Sequence, residues 1–251
     1  MSNLKKYRKQ IKEIKNLEKK LSTRHKKKIK KIFLEFSEKV KIDNEQKFSA
    51  DNKVVIDIDY EFLEKKVRST LEIIYLYNLD EVLGKFKTLY NKVLSRKVIK
   101  GVRDYFLENW NKQHALKKAQ KITETTRDKL NKIITVAQKE GWSYKTLVTE
   151  ITTSVKDMSE YRASTIARTE TATSINTVSY ETSRASGMKE KGWIHVGGKK
   201  TYRINHKALN NKWIGIDEKW DLGNGIYAML PHADGLPASE VVRCSCLQIY
   251  R

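Results

Sequence analysis

Two thiols one residue apart, Cys244-Ser245-Cys246, are the sharpest chemical signal in the chain. On an extended segment residues i and i+2 project from one face, so both sulfurs can reach one ion. Glu240-Val241-Val242, just upstream, reads as a strand-like lead into them. With His206 and His232 the set offers two sulfurs and two imidazoles, the donors that tetrahedral zinc accepts. The spacing is tighter than in most structural zinc pairs, so buried free thiols in a reducing compartment stand beside zinc as the plainer reading. No other cofactor is indicated.

Arg203-Ile204-Asn205-His206 suggests a second chemistry, in which Arg203 stabilises negative charge and His206 moves a proton. Joined by Glu170 as a general base and by His232, these residues would make a nuclease-like or transferase-like site in the C-terminal part of the chain. Glu170 itself lies in a stretch that invites a different reading, Arg162-Ala163-Ser164-Thr165-Ile166-Ala167-Arg168-Thr169-Glu170. Arg168 and Glu170 are two apart, about 200° around a helix, so they do not pair and each must reach a different neighbour. Ala163, Ile166, Ala167, Thr171, Ser174, Ile175 and Val178 share one stripe, and small residues there permit close helix approach. Arg–carboxylate links in a tightly packed helix therefore compete with catalysis as the role of this stretch, and the structural role is the stronger expectation.

The elements that must position these groups are mostly helical. Leu4, Tyr7, Ile11, Ile14, Leu17 and Leu21 recur every three or four residues, and Ile29, Ile32, Phe33, Phe36 and Val40 carry the stripe onward, which predicts one amphipathic helix of about 60 Å. Residues 54–58 read as a short strand or an extended lead into Asp59, an N-cap. Asp57 and Asp59 would face one way on a strand, a weak metal pair. Residues 60–139 contain no proline and only Gly84 and Gly101, so several packed helices are expected, the last closing at Gly141. Ser143 then caps a short helix, and Asp157 or Ser159, with Glu160 completing a capping box, opens the next, which stops at Gly187. Past Gly187 the composition changes: both prolines, both cysteines, three of five tryptophans and most of the glycines lie there. The expected fold class is α+β, with a basic amphipathic helical arm over residues 1–50, a helical domain over 51–187 and a small β-rich, loop-rich unit over 188–251. A unit of that size has a marginal core unless a metal or a partner domain supports it.

The chain carries a formal net charge of +21, and residues 1–31 hold fourteen lysines and arginines against two glutamates. Such a surplus points to a polyanion. Lys5, Lys6, Arg8, Lys9, Lys12, Lys19, Lys20, Arg24, Lys26, Lys27, Lys28, Lys30 and Lys31 are the candidate phosphate contacts, and they would bind double-stranded DNA without sequence choice. No stretch has the run of apolar residues a membrane span or a signal peptide requires, so no membrane is expected and a cytosolic protein is.

The ordered set Gly141-Trp142-Ser143-Tyr144-Lys145-Thr146-Leu147, Arg162-Ala163-x-x-Ile166-Ala167-Arg168-Thr169-Glu170, Gly187, Trp193, Arg203-x-x-His206, Pro231-His232 and Cys244-x-Cys246 resembles the phage Mu F-like minor head proteins. The resemblance covers roughly residues 100–251. It implies a minor capsid protein needed for head morphogenesis, associated with the portal protein and other capsid or scaffold proteins inside the virion and present in the host cytoplasm during assembly, with a role in packaging or ejection of DNA. The family pattern ends Asn-Cys-Arg-Cys where this chain has Arg243-Cys244-Ser245-Cys246, which leaves a metal site open and puts in doubt a role for the intervening arginine.

Overall fold

The computed structural model describes residues 4–45, 56–196 and 203–251. Five main helices, α1 (Leu4–Glu45), α2 (Tyr60–Tyr90), α3 (Arg96–Tyr105), α4 (Lys112–Glu140) and α5 (Tyr144–Ala185), precede a small unit built on β1 (Glu190–Ile194), α6 (Ile204–Ala208), β2 (Trp213–Gly215), β3 (Trp220–Asp221), β4 (Tyr227–Ala228), α7 (Ala238–Val241) and β5 (Leu247–Tyr250). A π-helical turn, Phe106–Asn111, joins α3 to α4. The fold is thus α+β with helix dominant, as the sequence predicts.

Local signals place most of the breaks. Asp59 accepts from the Phe62 amide and starts α2. Gly141 closes α4 in the left-handed region at φ 65°, and the Ser143 hydroxyl accepts from the Thr146 amide to start α5. Asn91, at φ 52°, ends α2 in the same left-handed way. Residues 54 and 55 of the expected extended lead lie outside the described residues, and 56–59 form neither helix nor strand.

One expected break does not exist: α5 runs unbroken for 42 residues, through Asp157, Ser159 and Glu160. No glycine or proline interrupts it, and the polar groups that mimic a capping box have other uses. The Ser159 hydroxyl donates to the Lys156 carbonyl one turn back, and Glu160 pairs outward with Lys26 and Lys30 of α1.

α1 lies along α5, with α2 beside both. Its apolar stripe, from Tyr7 through Leu21, Phe33 and Phe36 to Val40, is buried in the same core as Leu63, Leu79, Ile151, Ala163, Ala167 and Val178. The basic helix and the helical domain therefore share one hydrophobic core. A buried polar line crosses the three helices: the His25 ring nitrogen Nε2 meets Asn78 Oδ1 at 2.8 Å, and Asn78 Nδ2 donates to the Ser174 hydroxyl at 2.7 Å. Burial holds His25 below its usual pKa.

In the C-terminal unit β2, β1 and β5 form an antiparallel sheet in that order, and β3 pairs with β4. Gly192 on β1 lets the Trp213 indole lie against the strand; a Cβ there would sit 2.9 Å from the ring. Trp213 also meets Tyr7 of α1, with ring centroids 5.3 Å apart. The unit's own small core comprises Trp193, Leu209, Trp220, Leu222, Ala228, Cys244 and Cys246.

Ala163 and Ala167 are essentially inaccessible on α5. Ala167→Leu is expected to overpack the helix contact and cost about 1–3 kcal/mol. A thermal melt should show this as a midpoint lowered by several degrees, while Ala167→Ser should leave it nearly unchanged.

Candidate functional site

The motif on α5 reaches outward in four directions. Arg162 donates through Nη2 to the Ile122 carbonyl at 3.0 Å and the Thr126 hydroxyl at 2.9 Å on α4, with its guanidinium 5.3 Å from the centre of the Phe33 ring on α1. Ile166 is partly buried and Ala167 fully so. Arg168 reaches the Ser245 hydroxyl at 3.4 Å, and the Thr169 hydroxyl accepts from the Arg243 amide at 3.2 Å. Glu170 faces the other way and is 5 % exposed.

Glu170 Oε2 accepts from the Tyr75 hydroxyl of α2 at 2.7 Å and lies 3.4 Å from His114 Nε2 of α4. The other ring nitrogen, His114 Nδ1, is 2.5 Å from Asp234 in the C-terminal unit. The π-helical turn brings Trp110 into register with this group: its ring stacks on His114 at 4.2 Å and meets Tyr75 edge-on at 5.0 Å. Burial opposes charge on His114 and on Glu170 alike. Asp234 and Glu170 outweigh it and hold the imidazole above its usual pKa; His114, the field of Lys118 and the Tyr75 hydroxyl outweigh it and hold Glu170 below its own. Glu170 thus ties α5 to tyrosine and histidine, where the sequence led us to expect arginine.

The cysteines lie on the opposite side of α5. The residues before them form α7 instead of a strand, because Pro237 leads a single helical turn and Arg243 then takes φ 57° to reverse the chain. Arg203 caps that turn, donating to the carbonyls of Ser239 and Val242. The two thiols nevertheless converge. His206 Nδ1 is 3.5 Å from Cys244 Sγ and 3.6 Å from Cys246 Sγ, and His195 Nδ1 is 3.5 Å from Cys246 Sγ. The His206 Nε2 atom is 2.7 Å from a carboxylate oxygen of Glu240. His232 is buried at φ 65°, and its hydrogen bond favours the Cys244 thiolate. The Cys244 thiol is driven down, by the hydrogen bond from Cys246 and then, against its burial, by the histidines, while Cys246 is driven up by Cys244 and by burial.

The helices grip this turn from outside. Lys15 of α1 donates to the Ser245 carbonyl at 2.6 Å, and Asn176 of α5 donates to the Cys246 carbonyl at 3.4 Å. Of the residues that sequence alone groups as an acid–base set, His206 and His232 flank the thiols, Arg203 supports α7, and Glu170 belongs to the buried group with Tyr75 and His114. Their side chains contact different partners and do not form one cleft. Sequence reasoning misses His114, His195, Asp234 and Glu240. Only His195 leaves a cue there, as a histidine directly after the apolar strand end Trp193-Ile194.

Residues 128–249 match the family described as Phage Mu protein F like protein. That region takes in α5, with its Arg162 to Glu170 motif, and both cysteines, and over it the chain is similar to the phage Mu F-like proteins. No curated protein and no solved structure matches the chain.

The buried group makes stability pH-dependent. Because the folded pKa of His114 is raised, its charge stabilises the fold fully below the unfolded value of 6.5, and that contribution is lost as pH rises through the folded value. Glu170 has the opposite sign: its contribution is present above 4.5 and is lost as pH falls through its lowered folded pKa. In urea titrations the gap between the parent protein and His114→Gln should be widest just below pH 6.5 and narrow on going alkaline. Tyr75→Phe should cost about 1–3 kcal/mol, since it removes a hydrogen bond from a buried carboxylate.

Proposed function

We propose that this chain is a minor head protein that sits at the portal vertex inside the capsid and contacts packaged double-stranded DNA through the outer face of α1. The observation that carries this reading is the two-sidedness of that helix. Its apolar stripe is buried on α5, while Arg8, Lys9, Lys12, Lys20, Lys27 and Lys28 are exposed on its back. Lys5 and Lys6 lie outside the residues whose side chains are described.

Not every basic residue of the helix is available. Lys26 and Lys30 pair with Glu160, Lys31 pairs with Glu35, and Arg24 lies over the Tyr77 ring at 4.1 Å. Beside them, a cleft of about 530 Å³ between α1 and α5 is lined by Lys15, Lys19, Lys26 and Arg168, with Glu18 as its acidic member. A row of lysines on a rigid helix suits phosphates, which position a protein on a duplex without specifying sequence. No described helix is long and apolar enough to cross a membrane.

Mobility-shift titrations on unrelated duplexes should give similar affinities that fall by several decades between low and moderate salt. Reversing Lys9, Lys12, Lys20 and Lys27 to glutamate should flatten the salt slope by about 0.9 for each phosphate no longer neutralised, without changing the melting profile. Binding that ignores salt, or survives the reversal, would remove DNA from the proposal. Co-purification with the portal protein of the same phage tests the remaining part.

A further inference from the structure

We propose that Cys244, Cys246, His206 and His195 hold a structural zinc ion that organises the C-terminal unit. Zinc binds thiolate sulfur at about 2.3 Å and imidazole nitrogen at about 2.0–2.1 Å, so a sulfur-to-nitrogen edge of its tetrahedron is about 3.5 Å. The observed sulfur-to-nitrogen distances are 3.5 Å, 3.6 Å and 3.5 Å. His206, Cys244 and Cys246 already present their donor atoms within 4.8 Å of one another, all from buried side chains, while the partly exposed His195 reaches Cys246 but not all three and completes the set by a side-chain shift.

The surroundings suit a bound cation. The Glu240 carboxylate on His206 Nε2 fixes the tautomer that leaves Nδ1 free to bind metal, the usual outer partner of a metal-bound histidine. Asn205 in turn donates to Glu240 at 3.1 Å and holds it in place. The Cys246 amide points at Cys244 Sγ at 3.4 Å, a donor for thiolate charge. Asn210 accepts from the His195 amide at 2.9 Å and fixes the backbone that carries the fourth ligand.

Energetics point the same way. The strands of this unit are two to five residues long, and polar donors occupy the middle of its small aromatic core. Without a cation, two thiols and an imidazole packed against Trp193 and Trp220 stabilise little. With zinc, both thiols lose their protons to solvent and four elements, β1, α6, α7 and β5, are joined at one point. Two thiolates with two imidazoles favour zinc over the hard divalent cations. Four protein ligands leave no open position, so the role is structural.

His232 is buried beside Cys244, so the two histidines are told apart by substitution. Full-length protein reconstituted with zinc under reducing conditions and then desalted should retain one zinc per chain by elemental analysis. Its two thiols should be unreactive until a chelator is added, and cobalt in place of zinc should give the visible bands of a tetrahedral thiolate site. Glu240→Gln should weaken zinc about 10–100-fold while leaving the stoichiometry at saturation unchanged. His195→Ala should lose tight binding and His232→Ala should keep it. The reverse pattern for the two histidines would overturn the assignment of the fourth ligand. Less than stoichiometric zinc in the parent protein, with thiols equally reactive in its presence and absence, would overturn the site.

Discussion

The burial of one carboxylate constrains the whole assembly. Glu170 points from the middle of α5 into a space sealed by α2 and α4, where an unmatched charge would be untenable. The match comes from Tyr75 on α2 and His114 on α4, and Asp234 meets the far side of the imidazole from the C-terminal unit. Four parts of the chain must therefore be in register before this charge is stable. Breaking such a buried pair typically costs about 3–5 kcal/mol, more than most apolar contacts contribute. Two carboxylates on one histidine also give the helical core an acidic lock.

The second constraint is steric. α5 buries a face of alanine, serine and threonine, and the hydroxyls of Thr173 and Thr177 donate back to carbonyls four residues earlier, so they can be enclosed without a partner on another helix. Neighbouring helices then approach closely, while the longer side chains at 162, 168 and 170 reach past the contact to fix angles. The same helix supports the cysteine turn through Thr169, Arg168 and Asn176. One strip of sequence thus serves two sites on opposite faces, which explains why Arg168 and Glu170, two residues apart, meet different partners.

Much of this is legible in the sequence, because the relevant signals are local. The stripe of α1, the caps at Asp59 and Ser143 and the stops at Gly141 and Gly187 each rest on the geometry of a single turn. The false break at Asp157 shows the limit of such signals: a capping pattern does no harm when the surrounding residues keep packing as helix, and Glu160 finds lysines on α1 instead. Glu240-Val241-Val242 reads as extended, but Pro237 at the start of a turn and the Arg203 cap at its end make it helical. His114 is invisible for a different reason, and for the same reason His195 leaves only the cue of its place after a strand. Their importance comes from partners 56 and 51 residues away, at Glu170 and Cys246, and no periodicity encodes such a meeting.

The contact of α1 with α5 also has a cost during synthesis. The apolar stripe of the first helix emerges more than a hundred residues before the helix that covers it, and Tyr7 does not meet Trp213 until most of the chain has left the ribosome. In that interval a long greasy edge is exposed to solvent, the condition under which nascent chains associate wrongly. The dense positive charge on its reverse side supplies mutual repulsion between copies, so the lysines that suit a polyanion also keep unfinished chains apart.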